Sequence, residues 1–449
     1  MYAIDTYEVN VAYGKCRRRK RHTQQEQDFS MHVSDNLLAF CKDLVKGTYQ
    51  PLPNRTFLVD YPVLREVFAP QFRDRIDHHL VAEKLEPLLE RELINDCYSC
   101  RKGKGTLFGI KRMRRFIAQC SRNYTRDCYI LSGDISGYFM SIDRLKLWSR
   151  LSSFVRSRYK GEDLDSFLWQ LEKFVFSSPL DNVVVRGERE KWRLLPDNKS
   201  LFCACGVSKP CDYDGIYHTG MIQKFVGLPI GALLAQMLGN FFLSPFDHFC
   251  KSVEKLRFYG RYVDDFFVVH TNRKFLLMLV KRLRQYLADM GLMLHPHKIR
   301  IVHYSQGVPF LGAFIRGAVL LPGKRVVARF IQLLEQIDSI HPESQDVGQI
   351  EHYMARLNSY LGLMRHFNAR RLVDSALAVH PVVHDLFYID TLPYKAVSWY
   401  RIRQRKEQKC MVLAGKLYHH QFRRRWHGHF RSRQIIYNGL LQNIESDYK

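Results

Sequence analysis

The chain has 449 residues, enough for two or three domains with a substantial core, and its 46% hydrophobic content excludes an intrinsically disordered polypeptide. Its 69 Lys and Arg against 44 Asp and Glu leave a formal charge of +25, a field that favours a polyanionic partner, most commonly nucleic acid. No apolar run approaches the roughly 18 residues that span a bilayer, no secretory signal opens the sequence, and the eleven Cys are scattered, so a reduced cytoplasmic setting without a membrane is expected.

Residues 1–55 read as a basic extension. The run Cys16-Arg17-Arg18-Arg19-Lys20-Arg21-His22 is either a solvated face or an arm that contacts phosphate. From Phe29 to Leu44 apolar residues recur at helical spacing, and Gly47-Thr48-Tyr49-Gln50-Pro51 ends that helix. Val63 to Pro70 reads as a strand, and Phe72-Arg73-Asp74-Arg75-Ile76 opens a helix. The loop Tyr98-Ser99-Cys100-Arg101-Lys102-Gly103-Lys104-Gly105-Thr106 is rich in Gly and Lys, but its spacing and its missing Lys-Ser/Thr end exclude a P-loop.

An apolar run of strand type, Cys128-Tyr129-Ile130-Leu131-Ser132-Gly133, ends at Asp134, and Ile135-Ser136-Gly137-Tyr138-Phe139 starts a new amphipathic segment. Residues 145–178 read as helical. The polar, turn-rich stretch from Leu180 to Thr219 reads as an insertion that carries Cys203, Cys205, Cys211 and His218. That spacing is loose for a zinc finger and lacks paired Cys-x-x-Cys knuckles, so free thiols are expected ahead of a structural Zn²⁺ site.

The most informative stretch is Phe258-Tyr259-Gly260-Arg261-Tyr262-Val263-Asp264-Asp265-Phe266-Phe267-Val268-Val269. Two adjacent acids between two apolar runs read as a tight hairpin between buried strands. Like charges held this close raise one pKa unless a cation neutralises them, and a divalent metal is the usual agent. Asp134, at a strand end, is the candidate third carboxylate. In a two-metal mechanism the ions sit roughly 3.5–4 Å apart, one activating the attacking hydroxyl and the other holding the leaving group. From about residue 326 the pattern turns helical, with amphipathic segments at Phe330–Ile340 and Ile350–Phe367. The tail from Val397 interleaves Trp399, Tyr400, Trp426 and other aromatics with Arg401, Arg403, Arg423 and Arg424, a composition suited to stacking on bases and binding phosphate.

Tyr262-Val263-Asp264-Asp265, with Asp134-Ile135-Ser136-Gly137-Tyr138-Phe139 upstream and Gly227-Leu228-Pro229-Ile230-Gly231 between, resembles the catalytic palm of a reverse transcriptase. The chain is most similar to the bacterial lineage of group II intron, retron, diversity-generating and phage-defence enzymes, over roughly residues 45 to 375. The resemblance implies an α+β right-hand fold: fingers at 56–125, a palm with an antiparallel sheet at 126–325 and its insertion at about 180–220, a helical thumb at 326–396, and the tail at 397–449. It implies two Mg²⁺ ions, replaceable by Mn²⁺, on Asp134, Asp264 and Asp265, with Ile135 counted in the metal and substrate set. Arg65 and Arg75 would reach the triphosphate, as guanidinium forks suit phosphate oxygens. Phe139 would lie under the sugar and exclude a 2′-hydroxyl, and Gln236 would sit near the templating base. Lys298 would stabilise or protonate the leaving group. Arg101, Lys102 and Lys104 would lie against template backbone, and Gly227 and Gly231 would let nucleic acid approach closely.

The implied partners are a template RNA encoded nearby, deoxynucleoside triphosphates and the cDNA product, with a second copy or a small accessory protein. No RNase H, endonuclease or protease pattern is evident, so host nucleases are expected to assist. Three roles remain open: phage defence, diversity generation, and a maturase-like RNA binder without polymerase activity. Diversity-generating enzymes usually carry Ser where this chain has Ala235, which tilts the expectation toward defence.

Overall fold

The computed structural model describes residues 4–18, 23–60, 63–340, 346–391 and 394–398, in two units, residues 1–311 and 312–449. In the first unit the strands that matter to the acids are β1 (Arg55–Val59), β2 (Arg65–Ala69), β3 (Tyr129–Gly133), β4 (Val184–Val185), β5 (Tyr259–Tyr262), β6 (Asp265–His270) and β7 (Arg300–His303). β1 pairs antiparallel with β2 and parallel with β4, while β5, β6, β3 and β7 form, in that order, a four-stranded antiparallel sheet. The expected α+β class is therefore observed.

Strand β6 is buried from Phe266 to Val269, on both faces, which is why it reads as a continuous apolar run. The helix Arg273–Asp289 buries Leu276, Leu279, Leu283 and Leu287 along one stripe. These residues join Tyr259, Phe266 and Phe246 in the largest buried cluster. Pairing of Gly133 with Phe266 fixes the register. A Cβ on Gly133 would lie 2.5 Å from the Phe266 ring, so only glycine lets that ring cross the strand.

The first residues are helical: Thr6–Arg17, Gln24–Met31 and Val33–Lys46. The single helix expected at 29–44 is divided at His32 and ends at Gly47, whose φ of 71° is the left-handed stop glycine supplies. Val9, Ala12, Phe40 and Leu44 share a buried cluster with Phe72, Ile76 and Leu80 of the helix Phe72–Glu92. Of the basic run, Arg17 pairs with buried Glu26 at 3.1 Å, and residues 19–22 lie outside the described residues.

The 180–219 stretch is built of short turns, Arg189–Leu194 and Asp197–Lys199, and a short helix, Leu201–Ala204, around buried Trp192, Leu201, Phe202 and Tyr217. Its thiols do not converge. Cys205 faces the Val226 carbonyl, Cys203 faces Asp197 and Cys211 faces Asp212, so the lesser zinc reading finds no geometry and the thiols are free.

The second unit holds an antiparallel hairpin, Ala313–Arg316 with Val319–Pro322, followed by helices Lys324–Asp338, Val347–Met364, Arg370–Val379 and Val382–Leu386. A second hairpin, Phe387–Thr391 with Tyr394–Ser398, ends the described part. Phe330, Leu333, Leu334, Leu357 and Leu361 are fully buried there, as amphipathic helices require. The aromatic, Arg-rich tail beyond Ser398 lies outside the described residues. Among the described residues no helix is long and apolar enough to cross a membrane.

Candidate active site

Tyr262 pairs with Asp265, so Val263 and Asp264 are the two tip residues of the β5–β6 hairpin. Val263 has a φ of 56°, a region that β-branched residues avoid and that in two-residue hairpins belongs to glycine. Such backbone costs on the order of 1–3 kcal/mol and persists only where surrounding contacts impose it. Here they do. The Ser99 hydroxyl accepts from the Val263 N–H at 3.1 Å, and Arg261 Nη1 donates to the Val263 carbonyl at 2.8 Å.

Arg261 is fully buried and grips Asp247, also fully buried, through two parallel bonds of 2.7 and 2.6 Å. The Tyr259 hydroxyl donates to the same carboxylate at 2.6 Å. Asn240 Oδ1 accepts from Arg261 at 3.2 Å and from Ser99 at 2.9 Å, and Asn240 Nδ2 donates to the Ser99 carbonyl. One buried polar network thus clamps the acid hairpin from below. Sequence reasoning missed Ser99, Asn240, Asp247 and Arg261. The only signal was an Arg inside an otherwise apolar strand, which has to find a buried partner.

Asp134 follows Gly133, and Gly133 faces Phe266, so the register brings Asp134 beside Asp265. Its own loop is tied down, with the His295 N–H donating to the Asp134 carbonyl at 2.8 Å and Ile135 bridging to Leu294. Lys298 Nζ donates to Asp134 Oδ2 at 2.6 Å. Desolvation, and then the charge of Asp134, push the Asp264 carboxyl up to about 6, against the pull of Lys298 and Arg65. Desolvation and the like charges of Asp264 and Asp134 push Asp265 upward too, although it opens to solvent, and a hydrogen bond shared with Asp134 adds to the effect.

Among the described residues no three Asp, Glu, His or Cys side chains stand ready to hold a metal ion, and the Lys298 ammonium takes one Asp134 oxygen. The donor chemistry still fits a divalent cation. Asp134, Asp264 and Asp265 are oxygen ligands that oppose one another's ionisation, a conflict such an ion relieves.

The remaining residues separate into two groups. Arg65, exposed at the start of β2, lies close enough to Asp264 to lower its pKa. Phe139 is half-buried, packs on Tyr138 and approaches Gly239, and exposed Gln236 accepts from the Cys100 thiol at 3.1 Å. Ile135 is buried. Arg75, by contrast, donates to the Pro70 carbonyl at 2.8 Å, and burial is the main cause that lowers its pKa. Arg101 is held by Glu90 at 2.7 and 2.6 Å and by two carbonyls, because its side chain is buried and needs those acceptors. Lys104 donates to the Asn95 carbonyl, whereas Lys102 pairs with Glu86 but stays 87% exposed. The glycines admit protein. A Cβ on Gly231 would lie 2.7 Å from the Phe68 carbonyl, and one on Gly227 would strike Leu201.

The family model described as "Reverse transcriptase (RNA-dependent DNA polymerase)" matches residues 64–315, a span that contains all three acids and Lys298. A comparison with curated proteins found no match. Among solved structures, telomerase from Candida albicans in complex with a TWJ fragment of telomeric RNA is 10% identical with a TM-score of 0.42, over 75% of this chain and 55% of that one. Apo telomerase from Candida tropicalis, truncated from its C-terminal domain, is 12% identical with a TM-score of 0.40, over 63% and 58%. The chain spans little more than half the length of these structures.

Proposed function

This chain belongs to the reverse transcriptase (RNA-dependent DNA polymerase) family, and from that premise we propose that it copies a dedicated non-coding RNA, encoded nearby, into cDNA for defence against phage. It is an RNA-directed DNA polymerase, a nucleotidyltransferase, with the α+β architecture of a right-hand polymerase. One observation carries the catalytic part of the reading: the β3–β6 register sets Asp134 beside Asp265 at the tip of a clamped hairpin, inside the matched span.

In this reading β1 and β2 belong to the fingers, the four-stranded sheet is the palm and the helices after residue 324 are the thumb. Mg²⁺ held by Asp134, Asp264 and Asp265 would supply Lewis acidity for the attacking 3′-hydroxyl and the triphosphate. The protein's own groups do the rest. Arg65 binds triphosphate oxygens, Phe139 orients the sugar and excludes a 2′-hydroxyl, and Gln236 lies by the templating base. Lys298, held at Asp134, offers a positive charge and a proton on the leaving-group side. Lys102, exposed on its loop, meets template phosphate, and Arg75 and Arg101 hold the fingers together.

The defence role rests on Ala235, which stands where diversity-generating enzymes place Ser, and on the basic aromatic tail, while the bacterial lineage rests on the motifs around Asp134, Gly227–Gly231 and Asp264-Asp265. The partners in that role are template RNA, deoxynucleotides and cDNA, with a second copy or a small accessory protein, in the cytoplasm. The test is to sequence RNA and DNA that co-purify with wild type and with Asp264→Asn, Asp265→Asn. One RNA in both, with complementary DNA only in wild type, is the expected outcome. RNA without any acid-dependent DNA would leave a maturase-like binder instead.

A further inference from the structure

The insertion reaches three separate parts of the nucleotide side of the site. Its first contact is with β2, where Glu66, the fully buried neighbour of Arg65, accepts from the Leu201 N–H at 2.6 Å, the Trp192 indole at 2.9 Å and the Ser200 hydroxyl at 3.2 Å. Side chains alternate along a strand, so Glu66 and Phe68 face the insertion while Arg65 and Val67 face the other way. Phe202 packs on Phe68 at 5.9 Å between ring centres. The second contact is with the Asp134 loop. Asn198 Nδ2 donates to the Ser136 hydroxyl at 3.2 Å, and the Asn198 carbonyl fills the space where Gly137, at φ 55°, lacks a Cβ. The third is with Gly227, whose missing Cβ is replaced by the Leu201 side chain.

The arrangement is specific. A buried carboxylate with three donors from one segment is an address, since a wrong docking leaves that carboxylate unsatisfied. The donors come from residues 192–201, which also touch Ser136 and Gly137, two and three positions after Asp134. The insertion is therefore one of two ties between β2 and the acid loop, beside the Phe68 N–H bond to the Ile230 carbonyl.

We infer that the insertion is a splint for the incoming nucleoside triphosphate, with Glu66, Trp192 and Asn198 as positioning residues that hold Arg65 in register with the Asp134 loop. This rests on the polymerase reading and adds to it a cause for nucleotide affinity. None of the three touches the reacting atoms. Their loss should loosen nucleotide binding while leaving the acids and the template surface in place.

The experiment is primer extension by the full chain on poly(rA) with oligo(dT), Mg²⁺ and varied dTTP, comparing wild type with Trp192→Phe, which keeps the apolar body and removes the indole donor, and with Asn198→Ala. The expected result is a rise in KM for dTTP of about tenfold for Trp192→Phe, the effect of one lost hydrogen bond to a charged group. The kcat should change less than about twofold and the affinity for poly(rA)·oligo(dT) should be unchanged. A Glu66→Leu variant tests the route, because Trp192→Phe should then add nothing further to KM. An unchanged KM with lowered thermal stability, or an equal loss in kcat and template affinity, overturns the splint. If wild type extends no primer, the polymerase reading fails first and the splint with it.

Discussion

The base of the acid hairpin and the region of β2 and the helix Phe72–Glu92 bury charge in opposite ways. At the hairpin, Arg261 and Asp247 are both fully buried and neutralise each other through a two-bond pair. In the other region Glu66 and Asp77 are buried too but meet only neutral donors: a backbone N–H, an indole and a hydroxyl for Glu66, and the Gln170 amide for Asp77. Among the described residues neither forms an ion pair. Burial pushes both carboxyls up to about 7. The difference teaches that a buried ion pair under the hairpin is intolerant of losing one member, while buried carboxyls held by neutral donors make stability respond to pH.

The largest effect should come from removing one member of the palm pair. Arg261→Met leaves Asp247 charged in the core with the Tyr259 hydroxyl but no cation, a loss of about 3–5 kcal/mol in urea unfolding. Arg261→Met with Asp247→Leu should recover much of that stability. Primer extension should stay impaired, since the Val263 carbonyl has lost its donor. Full recovery of both would show that the pair is mere packing.

The pH response is next. A carboxyl whose folded pKa lies above its unfolded value contributes stability that is complete below about 4 and is lost as pH rises through about 7. Melting temperature should therefore fall between about pH 4 and about pH 7. Asp77→Asn, which keeps an acceptor for Gln170 and adds a donor near its unsatisfied, buried Oε1, should flatten the profile and stabilise the protein at pH 8, by at most about 4 kcal/mol. A slope unchanged in the variant would remove Asp77 from the comparison.

Val263→Gly sharpens the contrast from the palm side. It relieves left-handed strain and adds unfolded-chain entropy, a net gain of about 1 kcal/mol in stability, with lower kcat because the tip loses its fixed geometry. The smallest effect belongs to the exposed fingers loop. Lys102→Ala should move stability by less than about 0.5 kcal/mol while weakening template–primer binding at low salt, measured by titration across ionic strength.

How much of this was legible depended on how far each contact reaches along the chain. Strand β2, the helix from Phe72, the helices within 145–178 and the stripes of the second unit follow from periodicity, which is local. The acids were legible because adjacent carboxylates between apolar runs have few physical explanations. The Arg261 network was not, since its members at 99, 240, 247 and 261 meet only after the sheet forms. The same holds for Arg101, where a basic loop suggested phosphate, but Glu90, eleven residues away on the preceding helix, supplies the partner. The insertion was the least readable part. Its turns carry no period, and its meaning lies in one carboxylate 126 residues upstream of Trp192.

The sockets at Gly137 and Gly227 bear on when the site is completed as well as on how it is held. A ribosome delivers residue 134 well before residue 227, an interval of roughly 5–20 s at 5–20 residues per second. Until Asn198 emerges, Gly137 and Ser136 in the turn after Asp134 lack the partner they seat against. The hairpin acids arrive later still. The site is therefore complete only when the 192–201 segment and the hairpin acids have both been made.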